Sequence, residues 1–272
     1  MYLTGQGVKQ DKAEAVKWFR KAAFQGNAEA MFNLGASYYT GDGINQDEEQ
    51  AYAWFLLAKE AGSPPATAAV LREETALGAG DINESYDDIG NMYDGGTDLP
   101  KDEQRAAKWF MKSAMRGDTS AQLAMADRFL NGIGVAQDFV EGKHWCEEAS
   151  KKGDSRGTYC VGVIYQRGLG VPRDPNEARK WYERAAAQGN RPATMALANM
   201  DITGEGTKPN RVAACLLYAK LVRKGDQDAL NDLVKLRNRM KAKEWKKVER
   251  QLPSINIDAK KLNALLQKNG AI

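Results

Sequence analysis

Apolar and small residues are not spread evenly along this chain; they gather in paired stripes separated by glycine-rich turns. The stretch from Tyr159 to Asn190 displays the pattern most clearly. Val161, Gly162 and Tyr165 fall at helical spacing, Gly168 and Gly170 interrupt, and Ala178, Trp181, Tyr182, Ala185 and Ala186 form a second stripe. The pattern predicts a helical hairpin. Asp174 stands at the cap of the second helix, with Pro175 in the first turn and Glu177 three residues after the cap. Gly189 stops that helix, because a left-handed residue is favoured just past the last turn.

The hairpin recurs. The stop glycines Gly26, Gly62, Gly117, Gly153, Gly189 and Gly225 lie 36, 55, 36, 36 and 36 residues apart. The cap residues Asp11, Asp47, Asp102, Asp138, Asp174 and Asn210 keep the same intervals, as do Trp18, Trp54, Trp109, Trp145 and Trp181 until Leu217 takes the slot in the sixth copy. Three independent markers in one register establish a repeat architecture. The 55-residue interval carries nineteen surplus residues, among which Ala69, Val70, Leu71 and Leu77 keep helical spacing after Ser63-Pro64-Pro65. The expected organisation is therefore repeats one (partial) and two over residues 1–62 and an irregular extra helix over 63–82. Repeats three to six follow over 83–225, and capping helices over 226–272. An odd helix reverses the chain direction, so the stacking should change near residues 63–82.

The combined pattern of Leu34-Gly35, Tyr38, Gly41, Gly43, Asp47, Ala51, Trp54, Ala58 and Gly62 resembles the Sel-one-like repeat family, a branch of the tetratricopeptide superfamily, over roughly residues 2–240. The resemblance implies an all-α fold, a right-handed α/α superhelical solenoid of helix-turn-helix repeats, and a bacterial source. Three positions depart from it. Asp98 replaces the second loop glycine, Gly142 a helix alanine and Asp201 a tyrosine, so looser turns or altered packing are expected in those copies.

Charge changes the picture at one end. Residues 235–272 hold eleven Lys and Arg against three Asp and Glu, a net of +8, whereas the remainder holds 28 against 33, a net of −5. A basic cap could meet nucleic acid, acidic lipid or an acidic protein. Its lysines lack the interleaved aromatics that stack bases, so no nucleic acid is expected. No stretch approaches the ~20 apolar residues of a membrane span. Some secreted members of the resembled family pair cysteines about eight residues apart; Cys146 and Cys160 are fourteen apart and Cys215 is remote, so all three are expected to be unpaired. Cytoplasmic and exported locations both stay open. Copy one begins at Tyr2, which leads to the expectation of a missing N-terminal segment, or of another chain covering Trp18 and Phe19 by self-association.

The sequence carries no familiar catalytic signature. The single histidine, His144, shares its slot with Lys17, Ala53, Lys108 and Lys180, a solvent-facing composition. No Cys-x-x-Cys, Ser-x-x-Lys or Gly-x-Ser-x-Gly occurs, and the Gly-x-Gly pairs lack the Lys-Ser/Thr of a phosphate loop. Glu84, Asp87, Asp88 and Asp94 do not follow calcium-loop spacing. No enzyme, metal or cofactor is expected.

In tetratricopeptide-like solenoids the first helix of each hairpin lines the concave surface. The outward slots there are Glu29, Phe32, Ala36 and Tyr39 in copy two, and Glu84, Asp87, Asn91 and Asp94 in copy three. Copy four offers Ser120, Leu123, Asp127 and Leu130, copy five Arg156, Tyr159, Val163 and Gln166, and copy six Pro192, Met195, Asn199 and Ile202. The repeats share a packing code and differ at these slots, as a surface selecting one protein or peptide would. Glu29, Phe32, Tyr39, Glu84, Asp87, Asn91, Asp94, Asp127, Arg156, Tyr159, Gln166, Met195 and Asn199 are the candidate contacts, with an acidic centre suited to a basic partner. A toxin-neutralising role is a sharper version of this reading. The rival is an enzyme or ligand-binding repeat protein with a site between residues 63–82 and copy three.

Overall fold

The computed structural model describes residues 1–271 and is all-helical: fifteen α-helices and one 3-10 turn, with no strand among the described residues. It divides into two compact units, Met1–Gly142 and Lys143–Ile272, each taken by itself below. The first holds α1 (Lys12–Phe24), α2 (Ala28–Thr40), α3 (Glu48–Glu60), α4 (Pro64–Ala76), α5 (Ala79–Gly95), α6 (Glu103–Arg116) and α7 (Thr119–Asn131). The boundary falls inside α8 (Phe139–Lys151). The second unit continues with α9 (Ser155–Arg167), α10 (Pro175–Ala187), α11 (Arg191–Thr203) and α12 (Arg211–Val222). Its last helices are α13 (Gln227–Asn238), α14 (Ala242–Gln251) and α15 (Ala259–Lys268), with the 3-10 turn Leu252–Ile255 before α15.

Polar caps set the helix starts. Asp11, Asp47, Asp102, Asp174 and Asn210 each accept a hydrogen bond from the backbone N–H two or three residues on, and Asp138 does the same for Val140 and Glu141. The residue after five of the six stop glycines caps the following helix: Asn27, Asp118, Asp154, Asn190 and Asp226 accept in the same way, whereas Ser63 after Gly62 makes no side-chain cap bond. A Gly-Asn or Gly-Asp pair thus ends one helix and starts the next.

Within a hairpin, the glycine of the first helix meets the aromatic residue that follows the tryptophan slot. A Cβ at Gly35, Gly90 or Gly162 would stand 2.7 Å from Phe55, 2.8 Å from Phe110 or 2.5 Å from Tyr182. Between repeats, the second turn glycine rests on the first turn of the preceding repeat's second helix. A Cβ on Gly43 would lie 2.3 Å from the Lys12 carbonyl oxygen, and one on Gly134 only 1.9 Å from that of Glu103.

The extra helix has a traceable consequence. Tyr52 near the start of α3 donates to Glu74 near the end of α4 (3.1 Å), so those helices are antiparallel. Ser85 donates to the Glu49 carbonyl (3.0 Å) and Gln50 to Asp88 (2.5 Å), which sets α5 parallel to α3. With α2, α4 and α5 all against it, α3 buries every residue from Ala51 to Ala58.

The three departures from the repeat pattern are answered by other residues rather than left loose. Asp98 pairs with Arg20 of α1 at 2.9 Å, and the same arginine donates to Tyr38 (2.6 Å). Buried Asp201 accepts from Arg179 at 2.9 Å. Gly142 makes room for Leu130, whose Cγ would be 2.7 Å from an added Cβ, in the copy where Cys146 replaces the aromatic.

One expectation is corrected. Cys146 and Cys160 form a disulfide, with Cα atoms 5.8 Å apart. The eight-residue spacing applies within a hairpin, whereas this bridge joins α8 to the first helix of the next repeat. Only Cys215 is free; it is buried, its Sγ 3.3 Å from the Met240 sulfur, and burial pushes its thiol up to about 12. Among the tryptophans, Trp54, Trp109 and Trp145 are buried, but Trp181 is only half-buried, its ring under Arg184. Trp18 is 52% exposed, with Lys21 over its ring.

Candidate functional site

None of the thirteen candidate contacts is buried, but many are engaged within the chain. In the first unit, Phe32 packs on Phe55 (ring centroids 5.5 Å) and Tyr39 lies under Arg72 (4.6 Å). Glu29, Glu84 and Asn91 are exposed; so is Asp127, which accepts from Asn131 at 2.7 Å. In the second unit, Tyr159 packs on Tyr182 (5.4 Å), and Gln166 accepts from the Tyr182 hydroxyl (2.7 Å) while donating to Glu205. Arg156 folds back on Asp154, and exposed Asn199 accepts from Tyr218 (3.2 Å). Met195 is half-buried against the last repeat's core.

The acids of α5 and α7 face different neighbours. Glu84 and Asp88 lie near Asp47 and Glu49 of the α3 start, and burial followed by these mutual repulsions raises the Glu49 carboxyl. Burial likewise raises Asp88, then Asp47, against a lowering hydrogen bond from Gln50. Asp94 sits 2.8 Å from Arg128, a charged residue in a slot that holds Ile164 and Met200 in later repeats. The Arg128 guanidinium stacks over Phe110 (4.5 Å) and is buried. An arginine at a core position is the sequence signal that points to this pair.

Asp87 is the unusual member. Burial pushes its carboxyl up to about 6, Ser113 pulls the other way, and Asp118, Asp88 and Glu84 add to the rise. Its buried Oδ1 has no hydrogen-bond partner. A folded value above the unfolded one means the native state holds more protons between roughly pH 4 and 6. Stability from this group therefore falls as pH rises through that window. Asp87→Asn should be more stable than the parent at pH 7 by about 1 kcal/mol, discounted for its half-exposure. The difference should vanish near pH 4 in paired urea titrations. Equal differences at the two pH values would remove the carboxyl from the explanation.

Sel1 repeats match residues 1–27, 28–63, 84–118, 119–154, 157–190 and 192–226. The chain belongs to the Sel1 repeat family. Sel1 repeat proteins generally mediate protein–protein interactions, and the fold serves generally as a non-catalytic scaffold. A crystal structure similar to this Sel1 chain is that of a protective antigen of uropathogenic Escherichia coli, described as displaying an SLR fold. It is 30% identical, with a TM-score of 0.56, over 99% of this chain and 63% of that one, so this chain spans less than two thirds of that relative. A Sel1 repeat protein from Oxalobacter formigenes is 25% identical with a TM-score of 0.58, over 87% of this chain and 90% of its own. An immunity protein from Pseudomonas aeruginosa is 18% identical with a TM-score of 0.41, over 81% and 77%, which is too distant to carry an argument about function. No curated protein matches the sequence. No helix among the described residues is long and apolar enough to cross a membrane.

Proposed function

We propose that this Sel1 repeat chain is a non-enzymatic scaffold that holds a protein partner along the first helices of its repeats. The observation that carries the reading is the division of labour within each hairpin. Caps, turn glycines and the glycine–aromatic contact recur, whereas the first-helix slots change from Glu29 and Phe32 to Glu84 and Asn91, and then to Tyr159 and Met195. Asp87 adds support, since burial holds its carboxyl in a place that disfavours its charge, a feature common at functional sites. The acidic slots of α5 and α7 suit a partner that is basic where it docks, the steering term being long-range and screened by salt.

The test reverses charge at exposed positions, where the fold should stand. Glu84→Lys with Asp127→Lys should slow association with a partner recovered from the source cells about tenfold and flatten its salt dependence. Lys108→Glu, on the exposed side of α6, should leave the rate unchanged. If the first-helix reversals behave like the control, the docking surface lies elsewhere.

A further inference from the structure

The tryptophan slot of the second helices supplies a template for a site in repeat six. At Trp109 the indole packs on Tyr86 (5.7 Å) and lies under Lys112 one turn later (3.4 Å). Trp18 lies under Lys21 (4.5 Å) and Trp181 under Arg184 (4.4 Å) in the same way. In repeat six the register gives Leu217 for the tryptophan, Thr194 for Tyr86 and Lys220 for the cation. The cation is present and the ring is not.

What stands there instead is a cavity of about 500 Å³, within the range of sites that accept drug-sized groups. Leu197, Leu217, Leu221 and Ile255 give it apolar walls. Arg223 donates to the Ile255 carbonyl (2.8 Å) and so holds the 3-10 turn as the far wall. At the rim stand Lys220 and Lys224, both exposed and in no ion pair with any described carboxylate. The rim acid Glu183 is drawn towards Arg179 (4.0 Å). By contrast, Lys17, Lys151 and Lys180 on other second helices each meet a glutamate one turn before them.

We infer that this cavity receives an aromatic side chain of a protein partner, flanked in that partner by a carboxylate which meets Lys220 and Lys224. The ring takes the place that an indole fills in the other repeats, with Lys220 over its face. The acid answers the two unpaired ammonium groups. The inference rests on the scaffold reading, gives it a specific anchor, and lies on α11 and α12 rather than on the acidic slots.

The experiment uses the full chain with labelled Leu and Ile methyl groups, titrated with the peptide acetyl-Glu-Trp-Glu-amide. The expected result is progressive shifts at Leu197, Leu217 and Ile255, with acetyl-Glu-Ala-Glu-amide and acetyl-Lys-Trp-Lys-amide each binding about tenfold more weakly. Leu217→Trp should fill the cavity from within and abolish binding while raising the melting temperature. Lys220→Gln with Lys224→Gln, at exposed positions that do not threaten folding, should weaken binding about tenfold. Absence of shifts at the cavity, or shifts that persist in Leu217→Trp, would overturn the inference. Indole-3-acetate binding as tightly as the peptide would overturn the protein source and leave a free aromatic acid as ligand. None of these outcomes touches the charge-reversal test on α5 and α7, so either reading can fail alone.

Discussion

Replacing Trp54 by alanine should lower the stability of the chain by about 3–5 kcal/mol. The side chain is 1% exposed, at the centre of a helix covered on several sides by α2, α4 and α5. Removing it leaves a cavity that three elements must collapse together to close, and close-packed helices relax only partly. Trp18→Ala supplies the contrast within one repeat register. That ring is half in solvent with Lys21 over it, so its removal should cost less than about 1 kcal/mol. Urea unfolding followed by circular dichroism would check both, and similar losses at the two positions would mean that α4 adds no cover to α3.

Gly134→Ala should cost about 3–4 kcal/mol, whereas Gly153→Ala should cost only about 1–2. Both glycines have positive φ, +67° and +86°, so both substitutions carry the left-handed penalty. They differ in surroundings. An added Cβ at Gly153 meets nothing within 4 Å, while one at Gly134 would lie 1.9 Å from the Glu103 carbonyl oxygen and 2.4 Å from its carbon. Backbone cannot swing aside as a side chain can, so the turn of repeat four must lift off α6. The difference between the two variants, rather than either loss, measures how much inter-repeat docking contributes. Equal losses would reduce the turn glycines to local conformational needs.

Much of this was readable in advance because the markers are local. A capping Asp or Asn needs only its own next turn, and a stop glycine only its own φ, so their register exposed the repeat before any contact was known. The features that escaped depend on approach between helices. Cys146 and Cys160 meet because the turn at Gly153 folds α9 back along α8, a geometry that a spacing rule for pairs within one hairpin does not describe. Asp98 and Asp201 read as flaws because their answers, Arg20 and Arg179, lie 78 and 22 residues away. The slot scheme treats the acids of α5 as one stripe. That stripe is flanked on two sides, so Glu84 turns to the α3 start and Asp87 to Ser113 and Asp118. The slots therefore identify side chains that are not buried, but not which of them stay unengaged.

The most direct measurement of the scaffold reading places a photo-crosslinking residue at Glu29 and at Asn91, both exposed on first helices, and at Lys108 and Lys151, both exposed on second helices. Each variant is irradiated in the source cells, and the adducts are resolved by mass. The account predicts a discrete adduct with one and the same protein from the two first-helix positions and none from the two controls. Adducts of equal yield from all four positions, or a discrete adduct from the second helices alone, would contradict it.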